Sequence, residues 1–452
     1  VSPPAPAAEQ DGLPMPRRAW AVVAVSVSIA ITVLDSAMIN VALPGVARSL
    51  GITPAAATWL LNAYQLTVVT TLLPLASLGE KLGFRPVFVV GFGVFGVASL
   101  GSALAPDFGT LLACRVAQGL GASAVMSLTA GLIRTIYPFR MLGRAIGINA
   151  TVVAISGASA PSLAAAILTV APWQALFAFH VPICLVGMLV GWWALPDTPG
   201  TRRPFDWASA VLNVLTFGLF FLGVDLVFAV PIPATLLIAG GIGAGVLLVR
   251  RQLSQPAPLL PVDLLRIRAI AFSVAASVCA FSAWYTSHVS LPFLLQGAGI
   301  SQGGTGLIMT PWPLGMAFGA PLAGRLSDRI PTARLCMGGM AAMVVGLGLV
   351  ASLPLLGNGL VIGGLMMLCG AGFGFFSTPN NRTMIGSAPK ARAGGAGGMQ
   401  ATARLLGTTL GTTVVGLCFQ VYGTDGARVA MLAGIGFALA AGLLSLARSR
   451  AA

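Results

Sequence analysis

The chain has 452 residues, of which 57% are apolar and only 8% charged. A water-facing surface needs about a quarter charged residues, so a soluble domain is excluded; lipid is the solvent that this composition tolerates. The net charge of +14 sits in short basic clusters between apolar runs, with no basic domain and no aromatic-interleaved basic stripe, which excludes a nucleic-acid partner.

Residues 1–18 are Pro/Ala-rich and polar and lack the apolar core of a signal peptide, so they predict a disordered cytoplasmic tail. A spanning helix needs about 20 apolar residues. On that criterion fourteen spans follow, at 19–43, 57–78, 86–104, 108–133, 145–169, 173–195, 207–228, 231–249, 269–295, 304–324, 335–354, 357–379, 396–420 and 428–446. Residues 447–452 form a second cytoplasmic tail. Only a tight turn near 229–233 separates spans 7 and 8; as one re-entrant hairpin they would lower the count to twelve. With the N-terminus cytoplasmic, 21 of the 25 Lys and Arg fall in inside segments. Two, Arg48 and Arg428, fall outside, and Arg115 and Arg404 lie within spans. The positive-inside rule therefore predicts a multi-pass protein with both termini cytoplasmic.

Two short turns repeat. The link after span 2 reads LGEKLGFR (78–85), and the link after span 10 reads GRLSDRIPTAR (324–334). Each places an acidic residue beside a basic one in a Gly-containing cytoplasmic turn. The repeat divides the chain into a six-helix bundle at 19–196, two inserted helices with linkers at 197–268, and a second six-helix bundle at 269–446. Halves related in this way, with substrate held between them, are typical of secondary transporters.

Carboxylates inside a membrane are expensive and mark function. Asp35, in LDSAMINVALP (34–44), lies roughly 24 Å along span 1 at 1.5 Å per residue. Arg115, in RVAQGLGAS (115–123), lies roughly 10 Å into span 4 from the outer side. The two therefore share a layer. A carboxylate that alternates between water and a guanidinium changes its proton affinity, as proton coupling requires; a permanent lock between helices 1 and 4 is the alternative. The remaining intramembrane polar side chains are the substrate-binding candidates: Asn40, Asn62, Tyr64, Gln65, His180, Asp225, His288 with its neighbour Trp284, and Arg404. Asp225 is also consistent with the headgroup level at a helix end. Trp284 and His288 also fit an interfacial aromatic belt. Arg404 either balances a buried charge or binds an anionic group on the substrate. The six cysteines all lie in apolar runs without a CxxC pair and read as packing residues. No metal cluster and no nucleotide-binding loop are visible.

Those stretches, with WLLNAYQL (59–66) and ATARLLGTTLG (401–411), resemble the major facilitator superfamily over essentially the whole chain after residue 18. More narrowly the chain is similar to the fourteen-spanner drug:proton antiporters that include the quaternary-ammonium efflux pumps. The resemblance implies an all-α membrane fold of two six-helix bundles plus two inserted helices, and a bacterial inner-membrane location. It implies proton coupling at Arg115. It also implies a gate latch at Gly79, Glu80 and Arg85, repeated at Gly324, Asp328 and Arg329, and a structural role for Arg404. Glu80 and Phe84 depart from the usual latch, and GASAPSLAAA (157–166) keeps Gly157 and Pro161 but not the other glycines of the antiporter motif. The expected activity is proton-driven efflux of a small amphipathic compound, by a monomer that needs the lipid bilayer and protons but no cofactor. Uptake by proton symport and dedicated export of an antibiotic or a lipid are the alternatives on the same fold. A membrane-embedded enzyme would need clustered His, Asp or Cys at one face, which the sequence lacks.

Overall fold

The computed structural model describes residues 12–138, 141–198, 200, 205–228, 230–253, 262–354, 357–389 and 393–451. Arg140, Arg202, Arg203, Lys390 and Arg392, among the expected inside charges, lie outside the described residues. The first half contains α1 (Arg17–Leu50), α2 (Pro54–Leu82), α3 (Phe84–Ala103), α4 (Phe108–Ile136), α5 (Leu142–Val170), α6 (Gln174–Ala178) and α7 (His180–Ala194). Two further helices follow, α8 (Trp207–Leu226) and α9 (Pro231–Leu253). The second half contains α10 (Arg268–Gly297), α11 (Gln302–Met309), α12 (Pro311–Leu326), α13 (Thr332–Ser352), α14 (Gly359–Gly386), α15 (Ala393–Tyr422) and α16 (Gly426–Ala451).

Local chemistry sets several of these boundaries. Thr53, Asp107, Asp206 and Ser301 each accept a hydrogen bond from a backbone N–H three residues on, which fixes the starts of α2, α4, α8 and α11. Gly51 ends α1 at a left-handed φ of 63°, a conformation that a side chain would strain. Prolines sit inside α1, α2, α5, α10, α12 and α14 without ending them, as neighbouring membrane helices permit. Expected span 6 is interrupted at Phe179, and expected span 10 at Thr310, just before Pro311.

Twelve helical stretches among the described residues are long and apolar enough to cross a membrane. One of them, Ala396–Ser449, runs through both α15 and α16, which a three-residue 3-10 turn joins. The broken pair α11–α12 is not among the twelve, because each piece is short. Spans 7 and 8 are two separate helices, α8 and α9, each long and apolar enough to cross a membrane.

Helix packing in the first half is repeated in the second. In the first, α2 and α3 pack on α4, α1 packs on α5 and α7, and α3 packs on α7. In the second, α12 and α13 pack on α14, α10 packs on α15 and α16, and α13 packs on α16. Small residues make these approaches possible. A Cβ on Gly121 of α4 would fall 2.6 Å from the Gly91 carbonyl of α3, and Gly339 of α13 faces the Gly372 carbonyl of α14 just as closely. Across the halves α2 meets α15, while α5 meets α11 and α12. The inserted α8 lies against α2 and α15, with α9 on its other side. Asn213 of α8 donates to the Thr70 carbonyl of α2 at 2.7 Å.

The expected tails are more ordered than the composition suggests. Residues 1–11 lie outside the described residues, but the Leu13 N–H donates to the Ile136 carbonyl, and Arg17 donates to the carbonyls of Ala194 and Leu195. At the other end α16 continues to Ala451. Arg448, which the sequence assigns to a tail, is buried and donates to Ser273 Oγ and Asn380 Oδ1.

Candidate functional site

Two faces of the molecule can be told apart by contact. The Gln296 side chain of α10 donates to the Val41 carbonyl of α1 at 2.9 Å and accepts from Arg48 at 3.2 Å. The C-terminal ends of α1 and α10 therefore meet at one face, here the far face. The N-terminal ends of both helices and the C-terminal end of α16 share the other, the terminal face, since Arg448 reaches Ser273 near the start of α10. The far face is closed. The hydroxyls of Ser162 in α5 and Thr310 lie 2.6 Å apart, Gly306 of α11 sits against the Pro161 carbonyl, and Gly416 of α15 sits against Thr58 of α2. The hydrogen bonds that join the two halves among the described residues are all in this layer.

A cavity of about 1020 Å³, counting its solvent-open space, lies between the halves on the terminal-face side of that seal. From the first half Thr32, Ser36, Asn40, Tyr64, Gln65, Met126, Val153 and Gly157 line it. From the second half come Trp284, Tyr285, His288, Trp312, Met316, Arg404 and Thr408. Along α1 the order is direct: the cavity-lining residues fall between Thr32 and Asn40, and Val41 and Arg48 belong to the seal. Asn40 Oδ1, both amide atoms of Gln65, and the indole nitrogens of Trp284 and Trp312 are buried and have no hydrogen-bond partner among the described residues. Buried polar groups left in this way fit a polar ligand or water.

Asp35 and Arg115 meet as their shared depth predicts. Arg115 Nη1 donates to both Asp35 carboxylate oxygens, at 2.8 and 2.9 Å, and to Gln118 Oε1 at 2.8 Å. Its Nε donates to the Leu60 carbonyl at 3.0 Å. Arg115 is 0% and Asp35 1% exposed. Gln118 is held in turn, donating from Nε2 to Ser99 Oγ at 2.8 Å. The guanidinium stacks 4.5 Å from the Tyr64 ring centre and 5.7 Å from that of Phe177. His180 stands beside the pair, with Nδ1 3.9 Å from Asp35 Oδ1, and neither ring nitrogen has a hydrogen-bond partner among the described residues. Tyr64 both lines the cavity and covers Arg115, so its ring lies between the pair and the cavity.

Six of the nine substrate-binding candidates line the cavity: Asn40, Tyr64, Gln65, Trp284, His288 and Arg404. His180 belongs to the charge pair instead. Asn62 is buried and does not reach the cavity. Asp225 is likewise outside it, because its carboxylate accepts from the indole N–H of Trp59 at 2.8 Å and so fastens α8 to α2. Trp284 and His288 form no interfacial belt; their rings pack with Trp312 and Phe373 inside the second half. Thr32, Ser36, Trp312 and Thr408 line the cavity without having been picked out by charge or rarity. Helical spacing from Asp35 or Asn40 on α1 would have found the first two, at i−3 and i−4. Trp312 carried a usable signal as an aromatic residue between two prolines in a span.

The latch residues take other partners. Glu80 lies in the last turn of α2, exposed, without an ion pair among the described residues, and does not cap α3. The Phe84 N–H at that helix start is satisfied by Thr198 Oγ1 at 2.8 Å. Arg85 pairs with Asp197 at 2.8 Å and lies over Trp192, so it ties α3 to the segment after α7. Gly79 lets α2 approach Leu128 of α4. In the second copy Asp328 pairs with Arg382 of α14 at 2.6 Å, not with Arg329, which is exposed. A Cβ on Gly324 would meet Thr378 of the same helix α14 at 3.6 Å, an ordinary contact.

A family profile described as the Major Facilitator Superfamily matches residues 25–412. An "uncharacterized transporter", YebQ of Escherichia coli (strain K12), is 43% identical over 446 residues, 97% of each chain. Riboflavin transporter RibZ of Clostridioides difficile (strain 630) is 27% identical, over 88% of this chain and 87% of its own. The tetracenomycin C resistance and export protein of Streptomyces glaucescens is 28% identical, over 91% of this chain and 77% of its own. The expected family is thereby established, and the protein is a multi-pass membrane transporter.

Proposed function

Because the chain belongs to the major facilitator superfamily, we propose that it exchanges protons for an amphipathic small molecule and exports that molecule across the bacterial inner membrane. The observation that carries the reading is the Asp35–Arg115 pair, buried behind Tyr64 beside a cavity that is sealed at the far face. Similarity to a resistance and export protein supports the outward direction.

The chain crosses the bilayer fourteen times in this reading: α15 and α16 cross separately, α11 with α12 crosses once, and α6 with α7 once. The 21-to-2 charge division then makes the terminal face cytoplasmic. The conformation described above is consequently open inward in this reading, with Asp35 bonded to Arg115. Rocking of the halves opens the far face and admits water to the pair. A carboxylate withdrawn from its guanidinium holds a proton more tightly, so Asp35 loads from outside. Return to the inward-open form remakes the ion pair and releases the proton to the cytoplasm. Tyr64 transmits occupancy of the cavity to the pair. Glu80 and Asp328, both exposed on the terminal face in this state, brace the closed cytoplasmic gate in the other.

The test uses inverted vesicles energised to an acid interior, with acridine orange as the pH probe. Amphipathic aromatic compounds are added in turn. A substrate of an antiporter lets protons leave and restores the dye's fluorescence in vesicles carrying the protein and not in vesicles lacking it. A panel whose active members deepen the acidification or leave it unchanged while entering the vesicles contradicts antiport.

A further inference from the structure

We propose that the cavity takes planar aromatic compounds that carry an acidic group, and that Arg404 is the residue that recognises the acid. The proposal rests on the transport reading above for its physiological consequence; the binding preference itself requires no proton coupling.

The first observation is a charge inventory. Two carboxylates are buried in the described membrane helices, and both have partners elsewhere. Asp35 is bonded to Arg115, and Asp225 to Trp59. Neither lines the cavity, and no other Asp or Glu does. Arg404 is therefore its one permanently charged lining residue, and Arg404 has no hydrogen-bond or ion-pair partner among the described residues. A guanidinium in low-dielectric surroundings is costly without a counter-charge. An arginine that merely locked helices together would show a carboxylate or carbonyl within reach, as Arg115 does. An oxyanion entering the cavity supplies the missing counter-charge, and the planar fork of the guanidinium suits a carboxylate or sulfonate. A cationic compound would meet a cavity whose full charge repels it.

The second observation is the wall around Arg404. Trp284 and Trp312 flank His288, with ring centres 6.2 and 6.1 Å from it, and Tyr285 packs on Trp284 at 5.4 Å. These rings meet edge to face, at 69°, 67° and 70°, and an aromatic ligand ring can extend the same packing. The two indole N–H groups are buried donors without partners, and donors are what an oxyanion or a ring carbonyl needs. The aromatic wall alone would also attract a cation by its π faces, so the sign of the ligand charge decides between the two.

Binding is measured on the purified full-length protein in non-ionic detergent, without any gradient, by the anisotropy of anthracene fluorescence above that of empty micelles. Three probes share one ring system: anthracene-9-carboxylate, anthracene-9-carboxamide and (anthracen-9-ylmethyl)trimethylammonium. The carboxylate is expected to bind saturably and about tenfold or more tighter than the ammonium, with the carboxamide between them. Arg404→Gln should bring the carboxylate down to the carboxamide, and Arg404→Lys should keep part of the difference. An ammonium that binds as tightly as the carboxylate, or a carboxylate that does not bind, overturns the proposal; so does an unchanged preference in a folded Arg404→Gln. If that variant does not fold, the order of the three probes on the wild-type protein and on Arg404→Lys decides. A failure of proton exchange in vesicles would leave this ordering intact, so the two readings fail separately.

Discussion

Arg115 is bound by geometry that another cation does not reproduce. Its Nη1 serves Asp35 and Gln118 while its Nε holds the Leu60 carbonyl, a division of labour that needs the planar fork. A lysine keeps the charge but presents a single nitrogen. We expect Arg115→Lys to lower transport by at least about tenfold, while its thermal melting point falls less than that of Arg115→Ala. Arg115→Ala strands a buried carboxylate, at a cost of about 3–5 kcal/mol for such pairs. Vesicle transport rates and detergent-phase melting check both statements, and an active Arg115→Lys would show that charge alone suffices. How much of this was legible follows from the same residues. Depth along a helix is linear in sequence, so counting from the ends of spans 1 and 4 placed Asp35 and Arg115 in one layer. Depth says nothing about rotation. That Tyr64 covers the pair, that Ser99 steadies Gln118 and that His180 leans on Asp35 depend on how four helices turn toward one another.

At the scale of elements, two contacts make separate predictions. Gln296 joins α10 to α1 with two hydrogen bonds in the far-face seal. The neutral bond to Val41 is worth about 1 kcal/mol, and the bond from the exposed Arg48 guanidinium is screened by solvent to about the same size. Gln296→Ala should therefore raise the far-open population by between about five- and thirtyfold. The readout is the rate at which an impermeant maleimide added at the far face labels a cysteine placed at Thr408→Cys; an unchanged rate would remove Gln296 from the gate. The second contact is Asp225 to Trp59, between α8 and α2. Asparagine retains an acceptor for the indole N–H, so Asp225→Asn should transport normally. Asp225→Ala leaves the half-buried indole of Trp59 unsatisfied and should lower stability by about 1–3 kcal/mol, seen as a lower melting point. A loss of transport in Asp225→Asn without loss of stability would return Asp225 to the substrate path. The helices themselves were readable as apolar runs. Their partners were not: Glu80 and Arg85 sit in one turn of sequence, yet Arg85 turns to Asp197 and Glu80 to solvent. A charge beside a charge in the chain does not fix a pair when a nearer partner arrives from elsewhere in the fold.

For the molecule as a whole, the repeated packing of the two halves and the sealed far face are the arrangement that the proposed rocking requires. Its orientation rests on charge: reporter fusions after Arg251 and at the C-terminus should both report the cytoplasm, and a periplasmic report at either site would invert the description of the gates. The central claim is that Asp35 couples protons to this rocking. The most direct measurement compares two modes of transport by Asp35→Asn in inverted vesicles. In one, substrate is driven uphill by an acid interior; in the other, labelled substrate exchanges against unlabelled substrate with no gradient. The account predicts that Asp35→Asn loses uphill accumulation and retains exchange, because the chamber and its gates survive while the protonable carboxylate is gone. Uphill accumulation by Asp35→Asn at the wild-type rate would contradict it.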